Sequence, residues 1–210
     1  MKLNLKWSQG NTKLQKLDTV SFNLPAFKSE TGFHVCPKAG GCATMCYARQ
    51  GRYMFKSVRA AREFNLTLAR GNQKRFGGML VADLQRLPNQ IVRIHDSGDF
   101  FSQRYLDTWV KVIKEFPEKS FYCYTKSFHL DWNKKPRNFQ VIQSVGGLMD
   151  VDERKPHSKI FATEEDRIAA GYVDGNTDDQ PAIDGVLKIG LVYHGQKSLK
   201  PGQIQWLKEA

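Results

Sequence analysis

Cys36, Cys42 and Cys46 stand together in Cys36-Pro-Lys-Ala-Gly-Gly-Cys42-Ala-Thr-Met-Cys46-Tyr, a C-x5-C-x3-C spacing in a polar, glycine-containing segment. Thiolates are soft ligands that suit iron–sulfur clusters, zinc and Cu(I). Three of them on one short loop can converge on a single centre. Zinc fingers pair cysteines about two to four residues apart and bring a second ligand pair. No second pair follows here, because the remaining cysteine, Cys123, lies far downstream. The spacing therefore predicts a [4Fe–4S] cluster on Cys36, Cys42 and Cys46. One iron is left open to water, a small molecule or another side chain. Structural zinc, with a histidine or Cys123 as fourth ligand, is the alternative. His34, two residues before Cys36, is a further candidate ligand.

Those thiols need a frame. Val20-Ser-Phe-Asn-Leu-Pro25 alternates like a short strand and runs into the cysteine segment. Phe55–Arg70 reads as a helix stopped at Gly71, and a second helical stretch from about Lys74 to Leu87 ends before Pro88. Ile91–His95 reads as a strand broken by Asp96-Ser97-Gly98-Asp99. Ser102 is placed to cap a helix whose apolar positions Leu106, Trp109, Val110, Ile113 and Phe116 keep helical spacing. Phe121–Thr125 is the next strand, with a short helix expected near Leu130–Lys134. Phe139–Val145 reads as a strand closed by Gly146-Gly147, and Lys159–Ala162 as another. Thr163 caps a short helix with an acidic start that ends at Gly171. Val186–Tyr193 is the last strand and ends at His194-Gly195.

Strands alternating with helices imply right-handed βαβ units and a parallel sheet. The expected fold class is α/β: a partial, TIM-barrel-like parallel (β/α)6 barrel with the cysteine loop after its first strand. One domain is expected over residues 1–210, with 1–19 as an N-terminal extension and 36–46 as the cluster-binding loop. The Rossmann fingerprint and the Walker A loop are missing.

Barrels gather their chemistry at the C-terminal ends of strands. Read that way, His95, Ser97, Asp99, Tyr124 and Lys126 line a pocket beside the open iron and are the candidate cofactor-binding residues. His95 could neighbour the cluster or deliver a proton, or bond to Asp96 or Asp99. Lys126 could hold a carboxylate or phosphate, or pair with Asp99. Along its strand Cys123 alternates with Tyr122 and Tyr124, so it points away from the polar set and reads as a packed core thiol. Asp178 and Asp179 sit in a Gly/Asn/Asp-rich stretch and read as turn formers. His194 reads as structural. No residue is assigned a catalytic step.

Composition sets the remaining bounds. The chain has 210 residues, 40% hydrophobic, with 13 Phe, 7 Tyr and 4 Trp, ample for a core. Four cysteines do not make a disulfide scaffold, the N-terminus lacks an apolar signal core, and no run approaches a membrane span. A reducing cytoplasm is expected, and no membrane. The net charge of +11 attracts polyanions. Arg49, Arg52, Lys56, Arg59 and Arg62 crowd the segment after the cysteines, and Arg70, Lys74 and Arg75 follow. Nucleic acid is therefore a candidate partner, with an ordinary solvated face as the plain alternative. No zinc-finger, helix-turn-helix or RNA-recognition signature accompanies the charge.

Three runs together resemble a known family: Cys36-Pro…Cys42…Cys46-Tyr-Ala, Arg93-Ile-His-Asp-Ser-Gly-Asp-Phe100-Phe-Ser-Gln and Phe121-Tyr-Cys-Tyr-Thr-Lys126. They resemble the phage and bacterial gene product 88 family. Ser144-Val-Gly-Gly147, Asp178-Asp179 and His194-Gly-Gln196 look like its C-terminal half. The resemblance implies a phage or bacterial origin, with the host cytoplasm as the place of a phage product, and it brings no settled activity.

A second resemblance is architectural. Radical S-adenosylmethionine proteins carry three cysteines on the loop after the first strand of a partial (β/α)6 barrel. There the thiolates hold a [4Fe–4S] cluster whose open iron binds the cofactor. The order here is similar, with C-x5-C-x3-C where that superfamily has C-x3-C-x2-C, and Gly146-Gly147 resembles its cofactor-contacting glycines. It implies S-adenosylmethionine as a candidate small-molecule ligand at the open iron. The competing function class is a structural or redox cluster, or a zinc module, in a basic phage protein that docks nucleic acid or protein.

Overall fold

The computed structural model describes residues 3–193 and Gly202. From the N-terminus it runs β1 (Trp7–Ser8), α1 (Thr12–Gln15), β2 (Thr19–Phe22) and a long loop with 3-10 turns at Gly41–Thr44, Tyr47–Arg49 and Gly51–Met54. Then come α2 (Lys56–Arg70), α3 (Gln73–Leu84), β3 (Ile91–Ile94), α4 (Gln103–Lys114), β4 (Ser120–Thr125) and β5 (Phe139–Ser144). The chain ends with β6 (His157–Phe161), α5 (Glu164–Ala169), β7 (Val173–Asp174), α6 (Gln180–Ile183) and β8 (Lys188–Val192). His194, Gly195 and Gln196 lie outside the described residues.

The six strands expected from the sequence all form, as β2 to β6 and β8. They share one sheet, ordered β1-β2-β3-β4-β5-β6-β8-β7, in which only β1 runs antiparallel to its neighbour. Parallel neighbours taken in sequence, with crossovers of one hand, throw their helices onto one face. There Phe76, Leu80, Trp109 and Ile113 pack with Phe22, Ile94, Phe121 and Phe139. The other face carries Tyr122, Ile142 and Ile189, packed with Ala182 of α6. β1 and β7 stand at the two edges and the sheet stays open. The fold is mixed α/β with a mostly parallel sheet, and the closure of a TIM barrel is not present.

The strict strand–helix alternation also fails. β4 to β5 and β5 to β6 are joined by turns alone, and the helix expected near Leu130–Lys134 is a run of turns. The reason is local. The Gln103 side chain takes both backbone groups of Asp131, accepting from its N–H at 2.8 Å and donating to its carbonyl at 3.1 Å. Trp132 Nε1 donates to the Ser127 carbonyl at 3.2 Å. Backbone groups spent on side chains cannot feed a helix, and Pro136 bars its extension.

Elsewhere local chemistry and packing agree. Ser102 Oγ accepts from the Tyr105 N–H at 3.3 Å and opens α4. Its periodic residues Leu106, Trp109, Val110, Ile113 and the following Phe116 are all buried, and Lys111 and Lys114 close it at the favourable end of its dipole. Residues 4–7 are tied down by the buried Asp83 carboxylate, which accepts from the backbone N–H of Asn4 and Leu5 and from Trp7 Nε1, each within 2.9 Å.

Candidate functional site

The C-terminal strand ends and the cysteine segment enclose a cavity of about 540 Å³. Its sheet wall follows from strand alternation. Arg93 pairs across the ladder with Tyr122, Tyr124 with Ile142, Ser144 with Ser158, and Ile160 with Leu191, which sets these side chains in rows on one face. Cys123 falls on the opposite face, fully buried in the main core.

Behind that wall lies one carboxylate. Asp179 is fully buried and accepts from Arg93 Nη1 at 2.8 Å, Lys13 Nζ at 2.6 Å, Tyr122 OH at 2.6 Å and Tyr124 OH at 3.5 Å. Burial alone would raise its pKa, but Arg93 and Lys13 outweigh it and hold the group below the usual carboxylate range. Lys13 is pulled the other way: desolvation lowers its pKa despite Asp179. The Arg93 guanidinium also sits 5.2 Å from the Tyr124 ring centroid. Two cations, two phenols and one carboxylate thus fix the floor of the cavity.

The turn after β3 is equally tied. Leu24 N–H donates to the Ser97 carbonyl at 3.0 Å, while Ser97 Oγ donates to the Leu24 carbonyl at 2.6 Å. Gly98, at φ +86°, lies where an added Cβ would stand 2.6 Å from Leu24 Cβ, so only glycine permits this approach. Asp99 accepts from Thr125 Oγ1 at 2.5 Å and from the N–H groups of Phe100 and Lys126 at 2.7 and 2.9 Å. Burial nonetheless raises its pKa. Asp96 is held more loosely, by Arg62 and Tyr53 OH at 3.4 Å each, and burial raises its pKa as well. His95, at φ +72°, is packed against Phe100 and Tyr105, and its Nε2 shares a hydrogen bond of 2.9 Å with Tyr105 OH. Burial, with Arg93 nearby, drives its pKa down to about 3, so the ring is neutral.

The cysteine wall is built from short turns. Phe27, at φ +63°, donates its N–H to Cys36 Sγ at 3.3 Å. Cys42 lies in the Gly41–Thr44 turn, and Cys46 immediately precedes the Tyr47–Arg49 turn. All three thiols are half-buried and free. Burial raises the pKa of Cys36 and Cys46, and the neighbouring thiols add to the rise. The segment is clamped to the end of β5: Ala39 bridges to Gly147, and Leu148 N–H donates to the Lys38 carbonyl at 3.0 Å. A Cβ on Gly147 would stand 2.8 Å from that carbonyl. Gly147 thus admits the close passage of the cysteine loop, and Gly146, at φ +85°, makes the turn beside it.

All eight site residues expected from the sequence line this one cavity: Cys36, Cys42, Cys46, His95, Ser97, Asp99, Tyr124 and Lys126. Their polar atoms are not equally free. His95 bonds to Tyr105, where Asp96 or Asp99 was the expected partner. Lys126 donates its backbone N–H to Asp99 and its charge also acts on that carboxylate, while its Nζ donates to Ser144 Oγ at 2.6 Å. His34 is exposed and outside the lining. Among the described residues no three His, Cys, Asp or Glu side chains are grouped as ligands of a metal ion. The thiols line the cavity and do not close on one point. Three soft thiol donors on one cavity wall are of the chemical type that iron–sulfur clusters and zinc both take.

Sequence reasoning missed Lys13, Arg93, Asp96 and Asp179. Asp178 is the turn former expected, accepting from the Gln180 N–H at 2.9 Å, but Asp179 beside it turns inward to Arg93, 86 residues away. The one available signal was Arg93 itself, an arginine inside an apolar strand that needs a counter-charge.

Fold and site together define an α/β protein with an open, mostly parallel sheet and a cysteine-lined cavity at its strand ends. The chain belongs to the gene product 88 family, whose model matches residues 3–200. It is 31% identical over 116 residues to the Gene 88 protein of Mycobacterium phage D29, covering 50% of this chain and 47% of that protein. It is 32% identical over 116 residues to the Gene 88 protein of Mycobacterium phage L5, with the same coverage. The chain thus spans about half the length of the curated relatives it matches, and those relatives are phage proteins. Their names carry no activity, so the S-adenosylmethionine expectation gains nothing from them. No solved structure matches. Among the described residues no helix is long and apolar enough to cross a membrane.

Proposed function

We propose that this phage-family protein is an iron–sulfur protein of the host cytoplasm. In this reading Cys36, Cys42 and Cys46 hold a [4Fe–4S] cluster, and the fourth iron faces a ligand pocket at the mouth of an incomplete (β/α) barrel. The observation that carries it is the sharing of one cavity by the three thiols and by Tyr124, Lys126 and the turn Ser97–Asp99. A core position for Cys123 supports an open iron, because that thiol faces away from the cavity. The bound cluster supplies an exchangeable iron site. The chain's own groups do the rest: Lys126 presents a cation beside Ser144, and Arg93 and Tyr124 form a rigid floor. The cavity accepts a small polar ligand, for which S-adenosylmethionine is the first to test.

The experiment is anaerobic purification with iron and sulfide analysis and cluster spectroscopy. Iron and sulfide in near-cubane proportion are expected for the wild type and for Cys123→Ala, and their loss for Cys42→Ala. A colourless protein with stoichiometric zinc would sink the reading and promote the zinc module. Adding S-adenosylmethionine to the reduced protein is expected to alter the cluster spectrum. An unchanged spectrum removes that ligand and leaves the cluster standing.

A further inference from the structure

Between the cysteines and the middle of α2 the surface has an unusual make-up. Tyr47 is 42% exposed, Met54 49%, Phe55 59% and Phe64 43%, four large apolar side chains in one short segment. The same stretch, residues 47–64, carries Arg49, Arg52, Lys56, Arg59 and Arg62 against the single acid Glu63. Met54, Phe55, Lys56 and Ser57 are exposed in unbroken succession. Helical spacing sets Lys56, Ala60 and Phe64 along one face, and all three are exposed. The ridge is continuous with the cavity, since Tyr47, Gly51, Arg52 and Tyr53 line its mouth. Three of its cations are engaged: Arg59 with Glu30 at 2.7 Å, Arg49 with the Ala43 carbonyl at 2.8 Å, and the buried Arg62 with Asp96, so that Arg52 and Lys56 are the cations the ridge presents.

We propose that this ridge docks a single-stranded nucleic acid along the rim of the cavity. Exposed rings interleaved with arginine and lysine match an unpaired strand, whose bases offer flat faces and whose backbone offers negative charge. A duplex hides those faces in its own stack. A membrane surface is met by a helix that segregates its apolar and basic residues to opposite faces, whereas here Lys56 and Phe64 share one exposed face of α2. The core of a protein interface is depleted in lysine, and this ridge sets an exposed Lys56 directly beside Phe55. The proposal stands apart from the cluster, and its failure leaves the cysteine chemistry as it is.

The test is fluorescence anisotropy of labelled single strands, matched duplexes and anionic phosphatidylglycerol vesicles against the full chain over a salt series. Single strands are expected to bind tightest, with log affinity falling linearly in log salt. Phe55→Ala is expected to weaken binding about fivefold or more at unchanged salt slope. Lys56→Ala is expected to reduce the slope by about 0.7, one phosphate contact. Ile168→Ala removes an equally exposed apolar side chain on α5, which packs with β6 to β8 at the far end of the strand order, and is expected to change nothing. Equal loss in Ile168→Ala and Phe55→Ala overturns the proposal. So does no loss in Phe55→Ala, tighter binding of duplex, or binding to vesicles alone.

Discussion

The two walls of the cavity are held by different forces. On the sheet side, Asp179, Arg93, Lys13, Tyr122 and Tyr124 satisfy one another, and Asp99 accepts three hydrogen bonds that pin the end of β3 to the end of β4. On the cysteine side, the backbone runs through three 3-10 turns, held by the bridge of Ala39 to Gly147, by the buried side chains of Met45 and Ala48, and by the Tyr47 and Tyr53 hydroxyls on Asp96. The first wall is set before any ligand arrives. The second keeps half-buried thiols whose geometry a ligand can still adjust.

The largest expected effect is on the fixed wall. Asp179→Asn keeps the volume and removes the charge, leaving Arg93 and Lys13 with 12% and 17% exposure and no carboxylate. Breaking a buried pair in this way costs about 3–5 kcal/mol, read as a lower midpoint in urea. A loss under about 1 kcal/mol would show that water or another group carries these charges, and the contrast between the walls would collapse. The sign with pH follows from the depressed pKa of Asp179. Its contribution is present above the unfolded carboxylate pKa and fades as pH falls through the lower folded value.

His95 sharpens the same contrast over a different window. Its folded pKa of about 3 lies below the ordinary histidine value, so the unfolded chain takes up the proton first. Stability is therefore expected to fall as pH drops from about 6.5 toward about 3, by up to about 1.4 kcal/mol per unit. His95→Phe, which cannot titrate, should flatten that part of the profile while losing the bond to Tyr105. A wild-type profile already flat there would mean that His95 is hydrated in solution.

The strand positions of this fixed wall were legible in the sequence, for a physical reason, while its charged centre was not. Strand alternation from Phe121 to Lys126 separates Cys123 from Tyr122 and Tyr124, and Ser102 with its apolar series marks α4. These are local rules acting over a few residues. Grouping polar residues at strand ends likewise picked out His95, Ser97, Asp99, Tyr124 and Lys126, which share the lining of one cavity. What local rules cannot see is a partner chosen across the chain. Asp179 looks like its neighbour Asp178 until Arg93 is placed, and the turns at Leu130–Lys134 look helical until Gln103 claims Asp131. β1, α1, β7 and α6 are two to four residues each, too short to leave a period in the sequence. The expected partial barrel counted six strands and left out the sheet edges, where β1 and β7 carry almost no pattern at all.

The smallest expected effect is on the adaptable wall, and it tests the comparison most directly. Cys42 is half-buried on a 3-10 turn, in a loop anchored through Ala39 and Gly147 and through the buried Met45 and Ala48. Removing its sulfur opens no sealed core cavity, so Cys42→Ala in protein stripped of iron should move stability by no more than about 0.5 kcal/mol. Cys123→Ala removes the same atom from a fully buried site and should cost more, about 1 kcal/mol or above. Chelator-treated wild type and both variants, unfolded in urea side by side, give the comparison. If Cys42→Ala costs as much as Cys123→Ala, then Cys42 is a packing residue like its downstream counterpart. The loop would then be as fixed as the sheet, and its three thiols would need no ligand to explain them. If the costs separate as expected, sulfur on the loop adds little to the empty fold, and what it adds must be sought in what it binds.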